Sequence, residues 1–332
     1  MKTKVLLTVD VEFSIAGAFA KPEINSPIGP QCVMGKVNGR SEGLQFVLDT
    51  LRSNKLAATF FVEAMQTMFF GDEPMREICV RLQEAGHDIQ LHLHPVWGFI
   101  GREDWKRRLA IETPNDDMDG RSVNQLVDWM QYGQETFKRW KLPDPVAFRS
   151  GSNRVDRNLY RAMSAVGLRL ASNIARGIFE PRDHALRLSG GAHQIENVVE
   201  MPVTSYFSRF GWPLSRCRAL TITGTSLMEL IQILEQAHAQ RAQVVTLLTH
   251  CHEFVRGDPS NALEVNRINQ ERWTALCRFL HDCADRFEVV SISEFGQSAV
   301  LEPSDQHQEI RLPFGMGVKR MVQNKLNEYG LA

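Results

Sequence analysis

Residues 86–95 read Gly-His-Asp-Ile-Gln-Leu-His-Leu-His-Pro and combine a strand-like apolar pattern with two histidines at its end. Because alternate residues of a β-strand point to the same side, His92 and His94 can present their imidazoles toward one point. Near the N-terminus, Asp10 and Glu12 show the same spacing after another apolar run. Two carboxylates and two imidazoles that converge at strand ends are suited to hold a divalent metal beside an acid–base group.

The composition is that of an ordinary globular protein. The chain has 332 residues, of which 43% are hydrophobic and 23% charged, and its formal net charge is −1. This balance gives no general attraction to nucleic acid or to an anionic membrane, so we expect no nucleic-acid partner. No apolar run reaches the roughly 20 residues that span a bilayer, and the N-terminal segment lacks a signal-peptide pattern. We therefore expect a cytoplasmic protein without a transmembrane segment; its six scattered cysteines form no Cys-x-x-Cys pair.

Strand patterns alternate with helix patterns along most of the chain. Strands are predicted at 4–9, 59–62, 88–93, 146–148, 168–171, 197–201, 219–222, 244–248 and 288–291, and helices at 41–53, 74–85, 123–140, 158–166, 227–239 and 262–284. Such alternation predicts a parallel sheet. The acidic, histidine and arginine side chains that could act in catalysis lie at the carboxyl ends of these strands, where β/α barrels carry their active sites. No glycine-rich phosphate loop follows the first strand, so a barrel is favoured over an open doubly wound sheet.

Two predicted loops and the C-terminal segment stand outside this repeat. The loops at 13–39 and 96–121 exceed the usual length of about two to six residues, and long loops at an active rim commonly bind substrate. Trp97 in the second loop is predicted to stack against a sugar ring, although packing that holds the loop in place is an equally good explanation. We assign residues 1–300 to the barrel domain and residues 301–332 to a C-terminal extension that is partly helical.

These residues also give the chain a resemblance to a known family. Four segments resemble, in order, spacing and strand-end placement, motifs of the polysaccharide deacetylases (the NodB-homology or carbohydrate esterase family 4 group): 8–12, 86–95, 148–151 and 248–250. The likeness extends from residue 3 to about residue 297. The resemblance implies an α/β protein with a distorted, incomplete (β/α)7-type barrel that hydrolyses the N-acetyl group of a sugar.

Three departures indicate a divergent branch of that family. The second acidic residue is displaced by one position, so Val11 stands at the family's metal-carboxylate position and Glu12 must replace it. His92 and His94 are two positions apart rather than four. The motif around Arg149 lacks the Pro-Tyr that follows the arginine in the family.

The predicted metal centre consists of Glu12, His92 and His94, which would leave coordination positions open, as catalytic zinc sites do. The expected ion is Zn²⁺, with Co²⁺ or another divalent ion as the alternative. Such an ion polarises an amide carbonyl and lowers the pKa of water. The reverse assignment, with Asp10 as the ligand and Glu12 as the base, is chemically feasible and stays open.

The remaining site residues are expected to move protons or contact substrate. Asp10 is predicted to act as the general base, with Arg149 pairing with it and keeping it ionised. His250 is predicted to protonate the leaving amine, and His252 to contact substrate. Glu200 is predicted to contact substrate or to orient His250, with an ion pair to a rim arginine as the alternative.

These assignments predict a metal-dependent amidohydrolase that removes an N-acetyl or other N-acyl group from a sugar. Family members that act on finished polymers are usually exported, whereas we expect this chain to stay in the cytoplasm. We therefore expect its substrate to be a nucleotide-linked or lipid-linked intermediate of surface polysaccharide (O-antigen or capsule) biosynthesis. Lys319, Arg320 and Lys325 would suit peripheral contact with a membrane, although three charges attract weakly. Two alternatives stay open: metal-independent hydrolysis of another C–N bond, such as a cyclic ureide or small amide, and a catalytically inactive sugar-binding barrel.

Overall fold

The computed structural model describes residues 2–209, 215–258, 262–298, 309–313 and 315–328. Its strands are β1 (Thr3–Val11), β2 (Lys36–Val37), β3 (Arg40–Ser41), β4 (Thr59–Glu63), β5 (Asp88–Leu93), β6 (Ala147–Ser150), β7 (Leu170–Ala171), β8 (His193–Ile195), β9 (Val198–Glu200), β10 (Ser205–Arg209), β11 (Ser215–Ala219), β12 (Val244–His250), β13 (Val255–Asp258), β14 (Ala262–Val265), β15 (Phe287–Val289) and β16 (Ile310–Arg311). Its helices are α1 (Pro30–Met34), α2 (Leu44–Ser53), α3 (Thr67–Phe70), α4 (Glu73–Glu84), α5 (Val96–Ile100), α6 (Trp105–Arg108), α7 (Val123–Arg139), α8 (Arg157–Ala165), α9 (Leu227–Ala239), α10 (Arg267–Asp282), α11 (Ile292–Ser298) and α12 (Met316–Glu328).

Seven parallel strands of the described chain form the wall of a barrel. Their order is β12-β1-β4-β5-β6-β7-β9; β8 adds to β9 in the antiparallel direction, and the short β15 pairs parallel with the start of β1. The two ends of this sheet meet beyond β9, where the backbone N–H of Thr204 donates to the carbonyl of Thr246 on β12 (2.9 Å). Closure by a few hydrogen bonds rather than by a full strand pair makes the barrel incomplete. The predicted distorted, incomplete (β/α)7-type barrel is confirmed.

The alternation of side chains along β1 explains where the polar groups lie. Leu6 belongs to a buried cluster inside the barrel that includes Phe295 of α11, which lies at the amino end of the strands. Thr8 and Asp10 lie two and four residues after Leu6 and on the same side of the strand. Arg149 contacts both of them. The intervening apolar residues of β1 pack in the main core with the surrounding helices. The two-residue alternation along the strand therefore places the side chain of Asp10 inside the barrel, at the carboxyl end of the strands.

Two predicted elements differ from the structure. The helix predicted at 262–284 begins only at Arg267, because residues 262–265 form β14 and pair antiparallel with β13. The side chain of Asn266 accepts a hydrogen bond from the backbone N–H of Asn269 and caps α10 at that point (3.3 Å). The strand predicted at 219–222 is not formed over that range, because β11 ends at Ala219 and Thr221 then makes an isolated parallel bridge with Leu248 of β12.

The C-terminal helix α12 lies against the barrel through a buried arginine. Arg320 donates to a carboxylate oxygen of the buried Glu229 on α9 (2.5 Å) and to the hydroxyl of Tyr206 (3.3 Å). Its charge is therefore turned inward, which removes Arg320 from the three residues expected to attract a membrane. Lys325 is exposed, and the side chain of Lys319 lies outside the described residues. Within the described part of the chain, no helix is long and apolar enough to cross a bilayer.

Candidate active site

Three side chains from the ends of β1 and β5 meet at one place. The Nε2 atom of His94 lies 2.8 Å, and that of His92 3.2 Å, from Oε2 of Glu12. One ligand-type atom from each residue lies within 4.8 Å of the other two. The strand β4 separates β1 from β5 in the sheet, so the curvature of the barrel is what brings these groups together. Two imidazole nitrogens and a carboxylate oxygen are a donor set that suits a divalent transition metal.

The other nitrogen of each imidazole is already engaged. Nδ1 of His92 lies 2.8 Å from the backbone carbonyl of Arg149, and Nδ1 of His94 contacts the carboxylate of Asp116. Both partners accept, so each Nδ1 is a donor, and the Nε2 atoms that face Glu12 are the nitrogens that can give up their protons and offer lone pairs to an ion. Metal-bound histidines are commonly fixed by such outer hydrogen bonds. The residues present therefore fit a metal ion.

The charges of this group favour a cation. Burial raises the pKa of Glu12, but the charge of His94 and hydrogen bonds from His92 and His94 outweigh it and hold the pKa well below its ordinary value. Burial lowers the pKa of His94, but Glu12 and Asp116 outweigh it and raise the pKa well above its ordinary value. A cluster whose negative charge stabilises bound protons in this way would also stabilise a divalent cation in their place.

Arg149 is fully buried and forms an ion pair with Asp10. One guanidinium nitrogen donates to Oδ1 of Asp10 (2.6 Å), and another donates to Oγ1 of Thr8 (2.8 Å). The Nε atom donates to the carbonyl of Ser172 (2.9 Å), and the guanidinium lies 4.3 Å from the centre of the Phe61 ring. These contacts fix the arginine on several sides, so Asp10 is held in one orientation.

His250 at the end of β12 faces the other oxygen of the same aspartate. Its Nε2 lies 3.8 Å from Oδ2 of Asp10 and 3.9 Å from Oε1 of Glu12. Its Nδ1 lies 2.9 Å from Oε1 of Glu253, whose Oε2 accepts a hydrogen bond from Thr249 (2.6 Å). Burial lowers the pKa of His250, but Glu253, Glu12 and Asp10 together outweigh it and raise the pKa to about 9. At neutral pH the imidazole is therefore charged and can donate a proton.

A cavity of about 430 Å³ opens beside this centre. Its lining comprises Glu12, Phe13, Ser14, Ile15, Cys32, His94, Val96, Trp97, Asp116, His252, Val255, Gly257 and Leu263. His252 is exposed and its ring centre lies 4.9 Å from that of His250, so the cavity reaches the proposed acid. Trp97 is only 1% exposed and packs edge-on against Phe70 at 5.7 Å. Its position favours packing of the loop over stacking against a sugar.

Glu200 lies away from this cavity. Its fully buried carboxylate accepts hydrogen bonds from the hydroxyl of Tyr160 (2.9 Å) and from the backbone N–H groups of Asn173 and Ile174 (3.0 Å each). Burial raises its pKa to about 7. The expected contacts of Glu200 with substrate or with His250 are not supported by this position. Glu200 instead orders the segment after β7, whose first residue binds Arg149.

Asp116 and Glu253 contact proposed site residues, yet neither was predicted as a site residue. Asp116 lies in the long loop, 22 positions after its partner His94, a separation without any periodic pattern. Glu253 follows His250 by three positions within a 3-10 turn, which places residues i and i+3 on the same side. That spacing could have indicated Glu253 from the sequence, whereas only the folded loop reveals Asp116.

Glu63 is a third carboxylate close to the centre that was not predicted as a site residue. It ends β4 and pairs in register with His92 on β5. Its Oε1 accepts the backbone N–H of Met65 (2.6 Å), while Oε2 is buried without a hydrogen-bond partner among the described residues. Burial, together with the charges of Glu12 and Asp116, raises the pKa of Glu63 well above its ordinary value despite the opposing effect of His94.

No family model matches the chain, and no curated protein matches its sequence. Solved structures do match it. A protein assigned as a polysaccharide deacetylase from Mycobacterium smegmatis superposes with a TM-score of 0.50 at 14% identity, over 91% of this chain and 95% of that one. The chain has the polysaccharide deacetylase fold.

More distant structures carry related names. A family 4 carbohydrate esterase from Streptomyces lividans, solved in complex with acetate, gives a TM-score of 0.42 at 13% identity over 87% of this chain and 91% of that one. A family 4 pseudoenzyme from Bacillus anthracis gives 0.44 at 10% identity over 88% of this chain and 65% of that one. Likeness at this level concerns the fold alone, so the chemistry must be argued from the side chains.

Proposed function

We propose that this polysaccharide deacetylase-like chain is a metal-dependent amide hydrolase that removes an acetyl or other acyl group from the amino nitrogen of a sugar. The observation that carries this proposal is the convergence of Nε2 of His92, Nε2 of His94 and the carboxylate of Glu12. Asp10 and His250 stand beside this donor set with the groups needed to take up and to deliver a proton. Amide hydrolysis needs a carbonyl activator, a base and an acid, and these residues supply a place for each.

The ion would be held by Glu12, His92 and His94. When bound, a divalent ion supplies Lewis-acid polarisation of the amide carbonyl and makes water more acidic. Zn²⁺ is our proposed ion, because two histidines and one glutamate form the protein donor set of several zinc hydrolases, and Co²⁺ should replace it.

The neighbouring groups divide the proton transfers between them. Asp10 takes the proton from the attacking water at Oδ2, while Arg149 donates to Oδ1 and holds the carboxylate in one orientation. His250, held in its charged form by Glu253, donates the proton from Nε2 to the leaving nitrogen. An amine leaves poorly unless it is protonated, so the donor matters as much as the activated carbonyl.

We further propose that the substrate is a nucleotide-linked or lipid-linked sugar used in assembly of a surface polysaccharide, and that the protein acts in the cytoplasm. The fold supports a carbohydrate substrate in general. Because Arg320 is buried in an ion pair, the C-terminal helix offers less positive charge for membrane contact than its sequence indicates.

The test is metal removal combined with a substrate panel. The protein is treated with a chelator, which is then removed. Acetate release from free, nucleotide-linked and lipid-linked N-acetyl sugars is measured before and after addition of Zn²⁺ or Co²⁺. We expect loss of release on chelation, restoration by either ion and close to one bound ion per chain. Full turnover by metal-free protein would favour metal-independent C–N hydrolysis. Sugar binding without turnover on any panel member would favour an inactive barrel.

A further inference from the structure

The cavity beside the proposed metal centre is lined by polar and apolar side chains, and the proposed ligands supply part of the polar lining. Beyond the proposed ligands, its wall is formed chiefly by Phe13, Ile15, Cys32, Val96, Val255 and Leu263. The polar side chains that remain are Ser14, Asp116 and His252. Asp116 is already engaged with His94 and with the backbone N–H of Val96. Beyond the proposed ligands and Asp116, the polar lining side chains left to pair with sugar hydroxyls are therefore those of Ser14 and His252.

This apolar wall is built by packed elements. Val255 and Leu263 belong to the hairpin of β13 and β14, which follows the strand that carries His250. A Cβ at Gly257, where φ is +102°, would meet the carbonyl of Ala262 at 2.4 Å, so the two strands of the hairpin approach closely. A Cβ at Gly35, just after α1, would meet the side chain of Val255 at 3.0 Å. The hairpin and α1 thus form one continuous, preformed surface, as ligand sites usually do.

The chemistry of that surface decides which part of an N-acyl sugar it suits. A buried sugar hydroxyl without a partner costs free energy, whereas buried methylene groups gain it. The acyl chain is the part of such a substrate that brings methylenes without hydroxyls. By volume, about 430 Å³ has room for on the order of a dozen waters, so the two carbons of an acetyl group would leave most of it unfilled.

We infer that this cavity binds the acyl group and that the preferred substrate carries an acyl chain longer than acetyl. The inference rests on the proposed function, because it places the amide carbonyl at the centre formed by Glu12, His92 and His94. The hairpin of β13 and β14 then acts as the element that sets acyl-chain length, with Leu263 in its wall.

Binding of alkyl hydroxamates to the Zn²⁺-loaded protein tests this inference without any need to know the sugar. The hydroxamate group chelates the ion and the alkyl tail samples the cavity. By titration calorimetry we expect Kd to fall about fourfold for each added methylene from acetohydroxamate to hexanohydroxamate. A Kd that stays constant or rises with chain length would overturn the inference while leaving the proposed function intact. Failure to bind Zn²⁺ at all would overturn both.

A matched pair of variants locates the effect. Leu263→Asp places a charge in the apolar wall at a half-buried position, and Ile178→Asp places the same charge at a position that is 50% exposed and outside the cavity. We expect the ratio of the two Kd values, acetohydroxamate over hexanohydroxamate, to fall at least tenfold in Leu263→Asp and to stay unchanged in Ile178→Asp. An unchanged ratio in Leu263→Asp, with zinc still bound, would show that the tail binds elsewhere and would overturn the assignment.

Discussion

The carboxylate of Asp116 contacts Nδ1 of His94 with one oxygen and accepts the backbone N–H of Val96 with the other (3.1 Å). The long loop that follows β5 is thereby joined to a proposed metal ligand. Because the contact holds the imidazole with Nε2 toward Glu12, Asp116 shapes the donor set without belonging to it. The loop thus helps to arrange the proposed donor set as well as the cavity wall.

Replacement of Asp116 should weaken metal binding. We expect Asp116→Asn to lower Zn²⁺ affinity by about 10- to 100-fold, because a neutral amide no longer holds the Nδ1–H of His94 firmly. Competition with a chromophoric chelator measures this affinity independently of catalysis. The control is Asp117→Asn, since Asp117 is the neighbouring carboxylate and pairs with the partly exposed Arg154 (3.0 Å). Equal affinities in the two variants would contradict the role of Asp116.

Asp10 and Glu12 should differ when each is neutralised. Asp10→Asn should keep its metal and lose activity on the order of 10²–10⁴-fold, because the proton acceptor is gone. Glu12→Gln should instead bind metal weakly, and excess Zn²⁺ should restore part of its activity. Metal content and acetate release, measured in parallel, separate the two roles. Loss of the ion from Asp10→Asn, together with its retention in Glu12→Gln, would mean that ligand and base are reversed.

Much of the barrel could be predicted because each strand carries a local pattern. The alternation along β1 is visible in the sequence, and it correctly places Asp10 at the carboxyl end of that strand. The same holds for His92 and His94 on and just after β5. Parallel strands place their carboxyl ends on one rim, so these residues could be expected to meet before any contact was known.

What could not be predicted depends on contacts that leave no local pattern. Asp116 reaches His94 only through the path of a long loop. The segment 262–265 has apolar residues that also fit a helix, and its pairing with β13 decides its conformation. Glu200 ends a strand like the other predicted site residues, yet its carboxylate accepts hydrogen bonds from backbone groups of the segment after β7.

Glu253 should control the alkaline limit of activity. Its carboxylate is the main group that raises the pKa of His250 to about 9, so the imidazole remains a proton donor up to about that pH. Glu253→Gln should lower this pKa, and the alkaline limb of the kcat/KM profile should move to lower pH, because the acid form is lost sooner. The control is Glu264→Gln, which removes a charge that pairs with Arg256 on the hairpin (2.9 Å). An alkaline limb that stays in place in Glu253→Gln would exclude His250 as the acid that Glu253 supports.

The buried pair between Arg320 and Glu229 should make the C-terminal helix a major contributor to stability. Both side chains are almost fully buried, so removing the arginine leaves a carboxylate in the core without its counter-charge. We expect Arg320→Met to lower the free energy of unfolding by about 3–5 kcal/mol. Urea titration measures this change, provided that the transition remains a single step.

Two further variants test whether the loss comes from the uncompensated charge. Adding Glu229→Gln to Arg320→Met should recover part of the lost stability, because the remaining buried group is then neutral and can still accept the hydrogen bonds of Ser226. Arg286→Met breaks a pair with Glu235 in which both side chains are about one-third exposed, and its unfolding midpoint should change much less. If the double variant is as unstable as Arg320→Met, the loss comes from packing of the arginine stem, and the charge of Glu229 is not its cause.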